Sequence, residues 1–82
     1  MNQLDIKLLF GNRLKQVRKD KHLSQEQLAQ KSGLTRSYIS DVERGSRNIS
    51  LENIYTLSLA LDVTLSVLFD LSDVLITHRS HE

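Results

Sequence analysis

Apolar residues recur three and four positions apart along most of the chain, and no segment alternates apolar and polar residues over the length of a strand. This spacing places the apolar side chains on one face of a helix. Phe10, Leu14 and Val17 define a first helix over about residues 5–21. Proline, which interrupts helices, does not occur in the chain. The pattern therefore predicts an all-α protein.

The segment Leu23–Gly45 contains the most informative pattern. Ser24 and Gln27 have the spacing of a capping box at the start of a helix over residues 25–32, in which Leu28 and Ala29 form the apolar face. Gly33 follows where a helix ends in a left-handed residue, a conformation that glycine adopts without steric cost. Leu34 is expected to fill the turn.

A second short helix follows this turn. Thr35 caps it, and the pattern extends it over about residues 36–44. Ile39 and Val42 point inward, while the outward positions are polar: Arg36, Ser37, Ser40 and Asp41. Two short helices at a steep angle form a helix-turn-helix, here over residues 25–44. Its second helix has the size that fits the major groove of DNA.

Two more helices complete the domain. Ser50 caps the fourth helix, and Glu52 lies in its first turn, where the helix dipole favours an acid. Its apolar positions are Leu51, Ile54, Leu57, Ala60 and Leu61. After a turn at Asp62 and Val63, Thr64 caps a fifth helix, in which Leu65, Leu68 and Phe69 are expected to close the core. The chain is predicted to be one domain over residues 1–82, a compact bundle of about five helices around the helix-turn-helix.

Apolar residues continue beyond the point where such a domain is complete. They are expected either to contact a partner subunit or to fold back on the same chain, and the partner is favoured because contiguous exposed apolar surface on a small chain usually marks an interface. The predicted dimer contacts within residues 65–76 are Val67, Leu71, Val74 and Leu75. Leu8 and Leu9 have the same two alternatives, and residues 77–82 are expected to fray.

The net charge of +1 conceals an asymmetry between the two parts of the chain. Residues 1–47 carry ten Lys and Arg against five Asp and Glu, which leaves +5, whereas residues 48–82 carry one against five, which leaves −4. A basic part that contains a helix-turn-helix indicates a polyanionic partner. A solvated basic face without a partner is the alternative, and charge by itself does not separate the two.

Composition and motifs argue against other classes of protein. Cysteine is missing, no apolar run reaches the roughly 18 residues that span a bilayer, and the first residues lack the pattern of an export signal. A cytoplasmic protein without a membrane partner is therefore expected. His22, His78 and His81 are not spaced with carboxylates as a metal or acid–base site. We expect no enzymatic activity, no metal or other cofactor, and no small-molecule ligand.

The chain resembles a known family over residues 9–69. It is similar there to the phage-repressor and Cro-type (Xre-like) helix-turn-helix proteins. The similar segments are RLKQVRKDK, LSQEQLAQKSGLT, the Tyr-Ile-Ser and Val-Glu-Arg-Gly positions, and ISLENIYTLSLAL. Within that family, RSYISDVERGSRNISLENI resembles the controller proteins of restriction–modification systems. The resemblance implies an autoregulatory transcription regulator that binds a pseudo-palindromic operator as a homodimer, activating at low occupancy and repressing at high. An antitoxin that sequesters a partner protein is the alternative.

The resemblance and the chemistry of the side chains assign sites for double-stranded DNA. Arg36 is the first choice for base recognition in the major groove, because arginine donates two parallel hydrogen bonds to guanine; a phosphate contact is the alternative. Asp41 either accepts from a cytosine amine or pairs with a neighbouring arginine, and pairing is favoured. Further base contacts are expected from Ser37, Ser40 and Arg47.

Phosphate contacts and one structural pair complete the expectations. Gln25 resembles the family's phosphate-binding glutamine, with a plain first-turn polar residue as the alternative. For Tyr38, a hydroxyl on a phosphate and packing in the core are equally expected. The other phosphate contacts are expected at Lys19, Arg44 and Asn48. The family pairs an arginine late in the first helix with a glutamate late in the third, here Arg18 and Glu43, as a partly buried ion pair that sets the angle of the recognition helix.

Overall fold

The structure is a computed structural model that describes residues 5–71 of the chain. Over this range it consists of five helices and no strand: α1 (Ile6–Asp20), α2 (Gln25–Ser32), α3 (Arg36–Glu43), α4 (Leu51–Leu61) and α5 (Leu65–Leu68). The predicted all-α class is confirmed, and the predicted bounds of the first three helices lie within one residue of those observed. No helix in residues 5–71 combines the length and the apolar content needed to cross a membrane.

Local side-chain hydrogen bonds explain where the helices begin. A hydroxyl at each of four N-caps accepts a hydrogen bond, at 3.0 to 3.3 Å, from the backbone N–H three residues further on; these caps are Ser24, Thr35, Ser50 and Thr64. The Ser24 N–H also donates to Gln27 Oε1 at 2.8 Å, which completes the predicted capping box. At the other end of α2, Gly33 has the predicted left-handed conformation, with φ of +78°. All four caps were predicted, because capping depends on neighbours close in sequence.

The core lies where the helices meet. Each of the five helices contributes at least one fully buried side chain, and these are Leu14, Leu28, Ile39, Leu57 and Leu68, with Leu61 and Val42 nearly as buried. Helix α1 packs on α3 and α5, α2 packs on α3 and α4, and α4 packs on α5. The helix-turn-helix pair α2–α3 is therefore supported by α1 on one side and by α4 on the other.

Helix α1 lies close to the backbone of α3 at Gly11, which is buried. A Cβ atom at this position would lie 2.8 Å from the Glu43 carbonyl oxygen and would overlap the Val42 carbonyl oxygen. A side chain is thus incompatible with this packing distance. Gly11 lets the backbone of α1 contact the end of the recognition helix directly.

Three residues predicted to lie in the core are exposed. Leu51 is 73% exposed. A helical side chain leans over the turn that precedes it, and Leu51, as the first residue of α4, has no such turn to pack on. Leu65 and Phe69 are 38% and 45% exposed. Since α5 is a single turn, only Leu68 faces the core fully. Phe69 instead packs its ring on Phe10, with 5.5 Å between ring centroids.

The residues predicted to contact a partner subunit have different surroundings. Val67 was placed on the outer face, but it is half-buried and packs against the chain's own core. Leu71 is half-buried as well, while Val74 and Leu75 lie outside the described residues. Of the two N-terminal aliphatic residues, Leu9 is buried and Leu8 is exposed.

Candidate nucleic-acid interface

The recognition helix α3 has two chemically distinct faces. Ile39 and Val42 are buried, which fixes the helix on the core. Arg36 and Ser37, in its first turn, are exposed. Within residues 5–71 the Arg36 side chain makes no hydrogen bond and no ion pair, so all its N–H donors can reach a ligand. A rigid helix thus presents an arginine at its N-terminal end.

A buried ion pair determines how α3 sits on the rest of the domain. Arg18 Nε and Nη2 donate to the two carboxylate oxygens of Glu43 at 2.7 and 2.9 Å, and Arg18 Nη1 donates to the Leu23 carbonyl oxygen at 2.8 Å. The two side chains are only 8% and 3% exposed. The pair expected from the family resemblance therefore links α1, the loop before α2, and the end of α3.

The same carboxylate also positions Gln25. Gln25 Nε2 donates to Glu43 Oε1 at 3.0 Å, so this amide is attached to the ion pair at the first residue of α2. The second hydrogen on Nε2 stays available as a donor. Sequence reasoning assigned Gln25 to a phosphate and did not find this contact. Only the packing of α2 against α3 brings these two side chains together, and Glu43 can accept the further bond because one arginine does not occupy every lone pair of a carboxylate.

Asp41 lies between two arginines at the end of α3. Its Oδ1 accepts from Arg44 Nη2, and its Oδ2 lies 3.6 Å from Arg47 Nη2. Arg44 Nη1 also donates to Ser40 Oγ at 2.6 Å. The structure thus places Asp41 in the favoured arrangement, paired with neighbouring arginines. Ser40 faces the same cluster.

Tyr38 connects this cluster to α4. Its hydroxyl oxygen accepts a hydrogen bond of 3.0 Å from Asn53 Nδ2, and the Arg47 guanidinium carbon lies 4.8 Å from the ring centroid. The ring is half-buried and packs against the core. The hydroxyl hydrogen can still donate to a phosphate, so both expectations for Tyr38 are compatible with this position. Asn53 was missed, since one asparagine in a helix carries no pattern that predicts such a partner.

The remaining candidate residues lie around this surface. Lys19 is exposed near the end of α1, and Asn48 is exposed in the loop after α3. Asn48, Arg47 and Phe69 contribute to the lining of a mainly apolar cleft of about 200 Å³. Binding sites for small molecules usually measure about 300–1,000 Å³, so the cleft lies below that range. Among residues 5–71, no group of three or more His, Asp or Glu side chains is arranged to hold a metal ion.

Comparisons with known proteins agree with this geometry. A sequence model described as "Helix-turn-helix" matches residues 14–68, which include α2 and α3 completely. The chain belongs to the helix-turn-helix family. Its relative "Control protein C.MunI" of Mycoplasma sp is 52% identical over 66 residues, which cover 79% of this chain and 89% of the relative.

Solved structures of the same family share the fold. The restriction-modification controller protein C.AhdI from Aeromonas hydrophila is 52% identical, covers 80% of this chain and 100% of its own, and superposes with a TM-score of 0.78. The controller protein C.Esp1396I, solved as a tetramer in complex with its natural 35 base-pair operator, is 34% identical and has a TM-score of 0.76. That comparison covers 83% of this chain and 90% of the relative. The fold and the family expected from the sequence are confirmed.

Proposed function

We propose that this helix-turn-helix protein is a sequence-specific transcription regulator of the controller type, with α3 in the major groove of its operator. The observation that carries the proposal is the position of Arg36, which is exposed and has no side-chain partner within residues 5–71. It lies on a helix that the buried Arg18–Glu43 ion pair attaches to the rest of the domain. An arginine at this end of a recognition helix can donate two hydrogen bonds to guanine. Such a regulator must reach its DNA, which agrees with the expected cytoplasmic location. Binding DNA requires no catalytic group.

The surrounding residues divide into two kinds of contact. Ser37, Ser40 and Arg47 extend base recognition along the groove. We expect Gln25 to contact a phosphate of the DNA backbone. Its free amide hydrogen and the N-terminus of α2 can both donate to that phosphate, since helix N-termini bind phosphate. The additional phosphate contacts proposed are Lys19, Tyr38, Arg44 and Asn48. Phosphate contacts set register and orientation, and base contacts supply sequence preference.

Operator binding by a pair of subunits requires a surface that joins two copies. Leu51, Tyr55 and Leu59 are spaced four residues apart on α4 and are 73%, 54% and 62% exposed, so they form an exposed apolar face along the helix, here called the α4 face. We assign this face to a second copy of the chain, because a two-fold operator requires two recognition helices and a two-fold interface uses the same surface on both subunits. Leu71, Val74 and Leu75 stay proposed dimer contacts, as the sequence indicated.

The comparisons favour a regulator over the antitoxin alternative. The relatives described above are control proteins, and C.Esp1396I is bound to an operator as a tetramer. For this chain we propose a dimer whose half-sites lie about one helical turn, roughly 34 Å, apart.

A reporter fused to the DNA upstream of the protein's own gene tests the regulatory role. We expect reporter output to rise at low levels of the protein and to fall at high levels, as the family resemblance implies. Arg36→Ala should remove both responses at equal protein abundance. A reporter that responds to the protein at no level, or that responds equally to Arg36→Ala, would contradict the proposed function.

A further inference from the structure

Arg44 and Arg47 share a single carboxylate at the end of the recognition helix. Arg44 contacts Asp41 Oδ1, and Arg47 lies 3.6 Å from Asp41 Oδ2. The arginine side chains are 61% and 48% exposed, whereas Asp41 is 28% exposed. The three side chains therefore form a surface cluster with a net charge of +1 instead of +2, beside the residues assigned to DNA.

A carboxylate in this place is unfavourable for two physical reasons. Asp41 lies in the last turn of α3, where the helix dipole disfavours a negative charge. It also lies on the surface assigned above to DNA, whose phosphates it would repel. Without Asp41, both guanidinium groups could contact any phosphate, regardless of base sequence. Its presence lowers the attraction of this surface for DNA in general.

Asp41 also restricts the orientation of Arg47. The guanidinium is held between the carboxylate and the ring of Tyr38, and the Tyr38 hydroxyl is itself bonded to Asn53. Arginine has five N–H donors, so a group that contacts Asp41 through Nη2 retains donors for a base edge. A fixed orientation of the guanidinium strengthens binding to a base edge that matches it. It strengthens binding to a DNA phosphate less, because a phosphate can be reached in many orientations.

We propose that Asp41 is a specificity-determining residue that acts through Arg44 and Arg47. It weakens their attraction to the phosphates of unrelated DNA and holds Arg47 in the orientation that the operator requires. Both effects increase the ratio of operator affinity to random-DNA affinity. This inference rests on the DNA-binding function proposed above.

Titrations of the full chain with two labelled duplexes test the proposal, one carrying an operator obtained by selection and one of random sequence. Asp41→Asn removes the charge and keeps the size of the side chain. We expect its affinity for random DNA to increase about three- to tenfold at low salt, with a dependence on salt steeper by about one phosphate contact. The ratio of operator to random affinity should fall at least as much. The thermal unfolding midpoint should change little, because ion pairs near the surface contribute little to stability.

Two control variants separate this effect from net charge. Asp62→Asn makes the same change of charge at the C-terminal end of α4. An eleven-residue helix is about 16 Å long, so this position lies far from the start of α4, where Asn53 contacts Tyr38. Asparagine tolerates the left-handed conformation of residue 62, with φ of +56°. Asp62→Asn should leave the ratio unchanged. In a chain that carries Arg44→Gln and Arg47→Gln, adding Asp41→Asn should produce no gain on random DNA.

The outcomes distinguish this inference from the function on which it rests. If the parent protein prefers its operator but Asp41→Asn binds random DNA no better, the inference is overturned. Loss of operator affinity alone would indicate a direct contact from Asp41 to cytosine. An equal gain for Asp62→Asn would reduce the effect to net charge, and a gain that persists without the two arginines would exclude their role. A parent without any operator preference would overturn the proposed function itself.

Discussion

Arg36 and Gln25 occupy the first positions of α3 and α2, and their partners separate two types of DNA contact. Arg36 has no side-chain partner within residues 5–71, whereas Gln25 is bonded to the carboxylate of Glu43. Arg36 keeps all its N–H donors for the two parallel hydrogen bonds that identify guanine, whereas Gln25 retains one amide hydrogen beside the N-terminus of α2, where a phosphate can bind. The first arrangement suits recognition of sequence, and the second suits a fixed contact to the backbone.

Replacing Arg36 with alanine is expected to reduce discrimination between the operator and random DNA. The loss on the operator should be about 1–3 kcal/mol, the usual value of a bidentate contact to a base. The measurement is a fluorescence anisotropy titration with both duplexes. An equal loss on the two DNAs would assign Arg36 to a phosphate instead.

Gln25→Ala and Lys19→Ala are expected to behave differently, with weaker binding to all sequences by a similar factor. Phosphate contacts carry no sequence information, and losing one should lower the slope of log affinity against log salt for Lys19→Ala by about one unit. The same titrations, repeated over a salt series, provide the measurement. A change confined to the operator would place either residue on a base.

Individual residues show how far the sequence can predict such a site. The exposed position of Arg36 follows from helical periodicity, and the pairing of Arg18 with Glu43 follows from the family resemblance. The bond from Gln25 to Glu43 and that from Asn53 to Tyr38 could not be predicted, because each joins side chains on different helices, and only the packed arrangement of those helices brings them together. The same holds for Arg13, whose Nε donates to the Val67 carbonyl oxygen at 2.8 Å.

At the scale of elements, the pair Arg18–Glu43 sets the relation between α1 and α3. Glu43→Gln should destabilise the domain by about 3–5 kcal/mol, because it leaves a buried guanidinium without its counter-charge. Urea denaturation followed by circular dichroism measures the loss. It should also weaken DNA binding by more than the unfolded fraction explains, since Gln25 loses its charged partner.

A matched double variant provides the control. Arg18→Met combined with Glu43→Leu removes both charges, and buried ion pairs replaced by apolar residues of similar volume often lose little stability. We expect this variant to recover most of the stability that Glu43→Gln loses. Destabilisation by Glu43→Gln of under about 1 kcal/mol, the range of exposed pairs, would contradict the buried role.

The elements themselves were largely predictable from local sequence. Caps at Ser24, Thr35, Ser50 and Thr64 and the turn at Gly33 depend on residues within a few positions, so their chemistry is visible in the sequence. The distribution of apolar residues between core and surface was less predictable on the short α5 and at the start of α4. A helix of one turn has no recognisable buried face, which explains why Leu65 and Phe69 were wrongly placed in the core.

At the scale of the whole molecule, the unresolved question in the sequence was which apolar surface joins two copies. Periodicity indicated a surplus of apolar residues near the C-terminus. In the packed domain Val67 and Leu71 are half-buried, and the α4 face is more exposed than either of them. Which apolar side chains stay exposed depends on how the core closes, and that is a property of the packed domain.

Leu59→Asp is expected to weaken dimerisation by at least tenfold, because it places a charge within the proposed apolar interface. Leu59 is 62% exposed, so the fold of each subunit should remain intact. Analytical ultracentrifugation over a concentration series measures the dissociation constant. Leu71→Asp should also weaken the dimer; an unchanged sedimentation profile would place Leu71 within its own chain, and an unchanged profile for Leu59→Asp would contradict the α4 face.

We propose that two copies of this chain together bind a specific symmetric DNA sequence. The test is selection of binding sites from random duplex DNA with the purified protein, followed by sequencing of the bound fraction. We expect a two-fold symmetric consensus with half-sites about one helical turn, roughly 34 Å, apart, and a guanine among the positions that Arg36→Ala no longer selects. No enrichment by a folded protein would contradict the claim and would favour a protein partner instead.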